Sequence, residues 1–358
     1  MPRGLEAAGS PIIDAMSSSF KNPLATLSPK AVGLIAAVVT VVIWTSFIVI
    51  ARASADPARG GVLNPFDIVY ARICGASLIL APWGWWLVRR DRRTQPWAGS
   101  LLGLSPLPLR QTLIAGFFGG LLYGMFAYSG FVFAPAGHAS VLMPGSLPLW
   151  TALLAVVILG DRITATRALG LALIVVGDLM VGGTSLLHAL DGGGVWRGDV
   201  LFILAAMAWS TYSVLVRRFA LDAVRATIAI TMLALLTYVP VYTLLLWLQW
   251  APGKVMSAPW RDVAFQMFFQ GVGSVVISGM TFTTMIKHFG PVRSTMITAL
   301  VPGLSAISAV IVLGEPLGWN VMAGLTLVTA GIVFGVRKAA AVAIKPIAAH
   351  ATDTGATG

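Results

Sequence analysis

Two ionisable residues, Arg72 in VYARICGASLIL and Asp178 in LALIVVGDLMV, lie deep inside long apolar runs of this chain. A charge held in hydrocarbon is costly, so each demands a partner or a function. Arg72 stands about eight residues from one end of its run and Asp178 about twelve from the end of an oppositely directed one, roughly 12 Å and 18 Å along a helix. Both therefore reach a similar depth in a hydrocarbon core about 30 Å thick. The expectation is a buried Arg72 and Asp178 ion pair, with Asp178 gripping a substrate ammonium or taking up a proton. A fixed pair that only locks helix packing is the alternative.

A second constellation is aromatic and hydroxylic. Trp44, Ser46, Trp209, Ser210 and Tyr212 come from two corresponding helices, Tyr123, Tyr128 and Ser129 from the third run, and Gln270, Ser274 and Ser278 from the eighth. Such groups suit an uncharged, polar cavity that reads a ligand by stacking and hydrogen bonding. Trp44, Tyr123, Trp209, Tyr212 and Gln270 are the expected substrate-binding residues, Tyr123 and Gln270 foremost because glycines beside them leave room. For any one of them, ordinary packing is the competing explanation. Pro144, Pro148 and Pro302 break helical hydrogen bonding and are candidate hinges, or static kinks. Gly116, Gly120 and Gly124 recur every fourth residue, as a packing seam does.

No enzyme site emerges. The histidines have no metal-ligand spacing, Cys74 is the single cysteine, and no phosphate-cradling glycine loop with its lysine is present, so no cofactor or metal is expected.

These residues must be positioned by membrane-spanning helices. Of 358 residues 57% are hydrophobic and only 10% charged, against about 25% charged in soluble domains. Apolar runs of about 20 residues fall at 31–51, 65–88, 112–133, 138–159, 166–184, 199–217, 226–249, 264–286, 292–313 and 319–337. Their length favours helices over a β-barrel, whose strands alternate over about ten residues. The first thirty residues are a polar tail without a signal-type apolar core, and 339–358 form a second tail. Placing both termini in the cytoplasm puts 18 of the 24 basic residues on the cytoplasmic side, as the positive-inside rule requires. Most of the net charge of +11 is thereby a topology signal, and nucleic acid is not an expected partner.

The chain also repeats itself. A shift of 154 residues superposes Ser140 on Ser294, Pro148 on Pro302, Leu159-Gly160 on Leu313-Gly314, Asp161 on Glu315 and Gly177 on Gly331. A shift of 165 superposes Gly33 on Gly198, Trp44 on Trp209 and Arg52 on Arg217. Five helices per unit, over 31–184 and 199–338, is an odd number, so the second unit enters the membrane inverted. Two such halves can exchange conformations and expose one compartment to each side in turn.

Together with these repeats, VVIWTSFIVIARAS, the in-span Arg72 and above all SVLMPGSLPLWTALLAVVILGDRITATRALGLALIVVGDLMV with its echo STMITALVPGLSAISAVIVLGEPLGWNVMAGLTLVTAGIVFGV resemble the EamA type of the drug/metabolite transporter superfamily. The resemblance implies an all-α membrane protein of ten helices in two inverted five-helix repeats, a central cavity and transport of amino acids, metabolites or drugs. It favours export. The long N-terminal tail, the extended 89–111 loop and Asp178 itself depart from the pattern.

The expected function is thus secondary transport of a small organic metabolite, an amino acid or relative, across a bacterial cytoplasmic membrane, by a monomer or homodimer in contact with lipid. Proton coupling and facilitated diffusion stay open. A multidrug or quaternary-ammonium exporter is the alternative within transport. From other classes, a lipid-directed enzyme would need polar catalytic groups gathered at one interface, and a sensor or scaffold would predict no flux.

Overall fold

The computed structural model describes residues 28–189 and 192–337. The tail read at 1–30 lies outside the described residues but for its last three, and the tail at 339–358 lies wholly outside them. Among the described residues the chain is helical and forms no strand. The helices are α1 (Pro29–Ala55), α2 (Pro65–Asp91), α3 (Leu109–Phe133), α4 (Ala136–Leu159), α5 (Ala165–His188), α6 (Val195–Arg218), α7 (Ala223–Trp247), α8 (Trp260–Phe289), α9 (Val301–Leu313) and α10 (Trp319–Arg337). The first eight are long and apolar enough to cross a membrane, whereas α9 and α10 are shorter apolar helices. The sequence places a connection at 287–291, but the backbone stays helical from Ser278 to Thr298 and turns at Ala299 and Leu300.

Local chemistry sets the helix ends. The Ser28 hydroxyl accepts the Ala31 N–H ahead of Pro29, and Asn64 and Asp67 form a reciprocal capping box around Pro65, so prolines sit where a missing N–H costs nothing. Thr164 and Asp222 cap α5 and α7 in the same way. Two helices stop alike: Gly160 after α4 and Gly314 after α9 take positive φ of 72° and 64°, a left-handed ending that other residues adopt only at a cost. Each glycine is followed by an acid whose N–H reaches back to the carbonyl six residues earlier, Asp161 to Ala155 and Glu315 to Ala309.

Helix pairings follow close approach at glycines. α1 lies on α8, where Gly33 faces His288 and Phe289, and α6 lies on α3, where Gly130 faces Phe202 and Gly198 faces Ala134. α2 packs on α8 through Gly75 and Gly271, and α7 packs on α3 through Gly116 and Gly120. α5 and α10 pair through Gly170 with Gly331 and Gly177 with Gly324; a Cβ on Gly170 would stand 2.6 Å from the Gly331 carbonyl oxygen. α2 also packs against α7, α9 against α1 and α4 against α6. The bundle's outer surface carries exposed Leu34, Val38, Val42, Leu78, Val157 and Ile311, side chains that lipid rather than water would cover.

Candidate functional site

At the junction of α2, α3 and α8, the glycine contacts bring the α2 backbone so near α8 that a Cβ on Gly271 would lie 2.8 Å from the Arg72 carbonyl oxygen. The Arg72 side chain is thereby delivered to three uncharged acceptors. Its Nη1 donates to the Tyr128 hydroxyl at 3.3 Å, the Gln270 carbonyl at 3.3 Å and Ser274 Oγ at 3.2 Å. Tyr128 in turn donates to Gln270 Oε1 at 2.8 Å, and Phe47 meets the Tyr128 ring edge-on with centroids 5.7 Å apart. Tyr128 and Gln270 are fully buried, yet among the described residues Gln270 Nε2 has no hydrogen-bond partner. Among the described residues the Arg72 guanidinium is thus met by neutral acceptors and not by a carboxylate.

The expected Arg72 and Asp178 ion pair is not formed: among the described residues no ion pair includes either of them, and Asp178 Oδ1 is buried without a hydrogen-bond partner. Depth alone does not make neighbours. α5 is committed to α10 by the Gly177 and Gly324 contact one residue before Asp178, while α2 is committed to α8.

Of the expected substrate-binding residues, three gather. Trp209 lies against Tyr123 with centroids 4.8 Å apart and against Tyr212 at 5.1 Å. Trp44 sits elsewhere, tilted on Phe282 at 5.2 Å, and Gln270 belongs to the Arg72 cluster. Trp44 on Phe282 joins α1 to α8 as Trp209 on Tyr123 joins α6 to α3. Pro144 falls within a wide π-type stretch, Val141–Gly145, whereas Pro148 and Pro302 stand in the first turns of Leu147–Leu159 and Val301–Ser308, where no intrahelical N–H is lost.

The two acids of the left-handed endings, which the sequence superposes but does not partner, are each held by an arginine. Arg52 Nε donates to Glu315 Oε1 at 2.7 Å, Arg52 Nη1 donates to the Phe131 carbonyl at 2.7 Å, and the Ala136 N–H donates to Glu315 Oε2 at 2.8 Å. Arg59 adds a contact to Glu315 at 3.8 Å. At the other end of the bundle, Arg217 forms two parallel bonds to Asp161, of 2.7 and 2.9 Å. The hydrogen bond from Arg217 holds the Asp161 carboxyl below the usual carboxylate range. The readable signal was the superposition itself, Arg52 on Arg217 and Asp161 on Glu315.

Two further polar knots belong to the Glu315 end. Asp67 is fully buried and accepts from the Lys254 and Val255 N–H groups and from Tyr242, besides capping α2. His138 Nδ1 contacts Asp199 Oδ1 at 2.9 Å, and Ser185 donates to the same carboxylate. A cavity of about 320 Å³ opens beside Glu315, lined by Pro135, Gly137, His138, Leu317 and Asn320 among others.

The model of the EamA-like transporter family matches residues 31–183 and again 196–337. The protein named "Uncharacterized transporter YyaM" from Bacillus subtilis (strain 168) is 25% identical over an alignment of 245 positions that covers 64% of this chain and 75% of the relative. A solved structure described as "Crystal structure of protein" shares 20% identity with a TM-score of 0.49, over 87% of this chain and all of that one. With the family's pattern matched along nearly all of the described helices, the chain is a membrane protein that belongs to the EamA-like transporter family.

Proposed function

We propose that this protein is a secondary transporter that carries a small carboxylate-bearing metabolite, an amino acid or close relative, by alternating access between two inverted five-helix units, 31–184 and 199–338. The observation that carries the substrate class is the Arg72 guanidinium, set in the helical bundle against neutral acceptors with Gln270 Nε2 unpartnered beside it. A guanidinium inside a span needs an anion, and a carboxylate bound between Arg72 and Gln270 supplies one. The aromatic group Tyr123, Trp209 and Tyr212 would take an apolar side chain. Trp44 is the corresponding group on the other half.

Support for two exchangeable halves comes from the pairings. Advancing every helix label by five turns α1 on α8 into α6 on α3, α2 on α8 into α7 on α3, and α9 on α1 into α4 on α6, while α2 with α7 and α5 with α10 map onto themselves. A pattern that survives this exchange is what a twofold axis in the membrane plane requires. In this reading both termini are cytoplasmic, the membrane is the bacterial inner membrane, the Asp161 end faces inward, export is the working direction, and Pro144, Pro148 and Pro302 are the hinges. Asp178, buried with a free oxygen, is the candidate proton site, or the anchor of a cationic drug in the alternative exporter.

The test is counterflow in liposomes containing the purified protein, screening amino acids, their methyl esters and quaternary-ammonium compounds with and without a pH gradient. Counterflow of acids but not of esters is the expected result. Exchange of esters and cations alone would overturn the substrate class, and no exchange of any solute would overturn transport.

A further inference from the structure

We infer that Arg52 with Glu315 and Arg217 with Asp161 are two copies of one latch, at opposite ends of the bundle, each sealed when its own end is closed; this rests on the alternating-access reading above. The acids hold the same place in the repeat, one residue past a left-handed glycine at the end of α4 or α9. The arginines hold the same place near the ends of α1 and α6. Each pair bridges the two halves: α9 to α1 at one end, α4 to α6 at the other.

The copies are chemically alike but sit in unlike surroundings. At the Glu315 end the side chains of Arg52 and Glu315 are 16% and 9% exposed, and the pair is braced by the Phe131 carbonyl, the Ala136 N–H and Arg59. At the other end Arg217 and Asp161 are 62% and 25% exposed, and among the described residues their side chains hydrogen-bond only each other. Both pairs are made, but one is shielded and braced while the other lies near the surface, the inequality that a two-state transporter shows when one end is sealed more deeply than the other. Opening the Glu315 end must draw α9 away from α1 and part the buried pair, which leaves Glu315 to find solvent beside the cavity it borders. Burial of the Asp161 pair in the other state then offsets that loss. Since a ligand or a mutation shifts such an equilibrium only through its differential effect on the two states, removing one latch must bias the protein away from the state in which that latch is sealed.

The test uses the full-length protein in lipid nanodiscs. Cys74→Ala removes the native thiol, and Leu317→Cys places a reporter in the cavity beside Glu315. The rate of maleimide labelling at this cysteine reads the open fraction of that end. In this background Glu315→Gln is expected to raise the rate about tenfold, because losing one partner of a buried pair strongly penalises the state that holds it. Asp161→Asn, at the opposite end, is expected to lower the rate severalfold. A merely local role for Glu315 would reproduce the first change but not the second. An unchanged or faster rate in Asp161→Asn therefore overturns the latch, even if Glu315→Gln is too poorly folded to assay. Opposite shifts without flux of any solute would uphold the latch and overturn transport, whereas flux with no opposite shift would do the reverse.

Discussion

Arg52 and Glu315 stand 263 positions apart in the chain, yet their side chains meet at 2.7 Å in a buried pair that gathers the ends of α1, α3, α4 and α9. The bond differs in kind from the Arg217 and Asp161 pair at the opposite end, whose arginine is mostly exposed. Truncating a partner of the part-buried pair, as in Glu315→Ala, leaves Arg52, among the described residues, with only its 3.6 Å contact to Asp56 and the Phe131 carbonyl, and should cost about 2 kcal/mol. The same change at Asp161 should cost within about 1 kcal/mol. Thermal unfolding in detergent, followed by loss of monodisperse protein, separates the two.

Arg72 should govern substrate rather than fold. Arg72→Gln keeps a donor for Tyr128 and Ser274 but loses the charge, and should raise the half-saturating concentration of a carboxylate substrate by about tenfold or more. Arg72→Lys should recover only part of this, because an ammonium is a point charge without the guanidinium's fork. Concentration-dependent counterflow measures both, and equal affinity in all three proteins would remove Arg72 from the binding site.

The Asp161 carboxyl is held low by Arg217, so the sign of its pH effect follows. A depressed native value stabilises the protein above the unfolded value of about 3.9 and loses that contribution as pH falls through the native value. The difference in melting temperature between the native protein and Asp161→Asn should therefore be present at neutral pH and shrink steadily below about pH 4. A constant difference across that window would mean that the pair adds nothing through charge.

Packing of α5 on α10 should be intolerant of any side chain at Gly170 or Gly331, where a Cβ would lie 2.6 and 2.5 Å from the facing glycine's carbonyl oxygen. Gly331→Val should abolish extraction of monodisperse protein, since backbone rather than a movable side chain stands in the way. Gly183→Ala, with nothing within 4 Å of the added methyl, should stay within about 0.5 kcal/mol. Size-exclusion profiles after detergent extraction distinguish them.

Much of the protein was legible in its residues taken in order. Long apolar runs specify helices for lipid because hydropathy is a local property, and the doubled Leu-Gly-acid ending specifies two matching helix stops because a left-handed glycine needs no distant partner. What residue order does not carry is which helix lies beside which. Arg72 and Asp178 share a depth but not a neighbourhood, because glycine contacts commit α2 to α8 and α5 to α10. The gathering of Tyr123, Trp209 and Tyr212 apart from Trp44, the neutral surroundings of Arg72 and the joining of Arg52 to Glu315 were decided by tertiary packing alone. Lateral placement in a bundle is set by shape at many contacts at once, and no single stretch of chain encodes it.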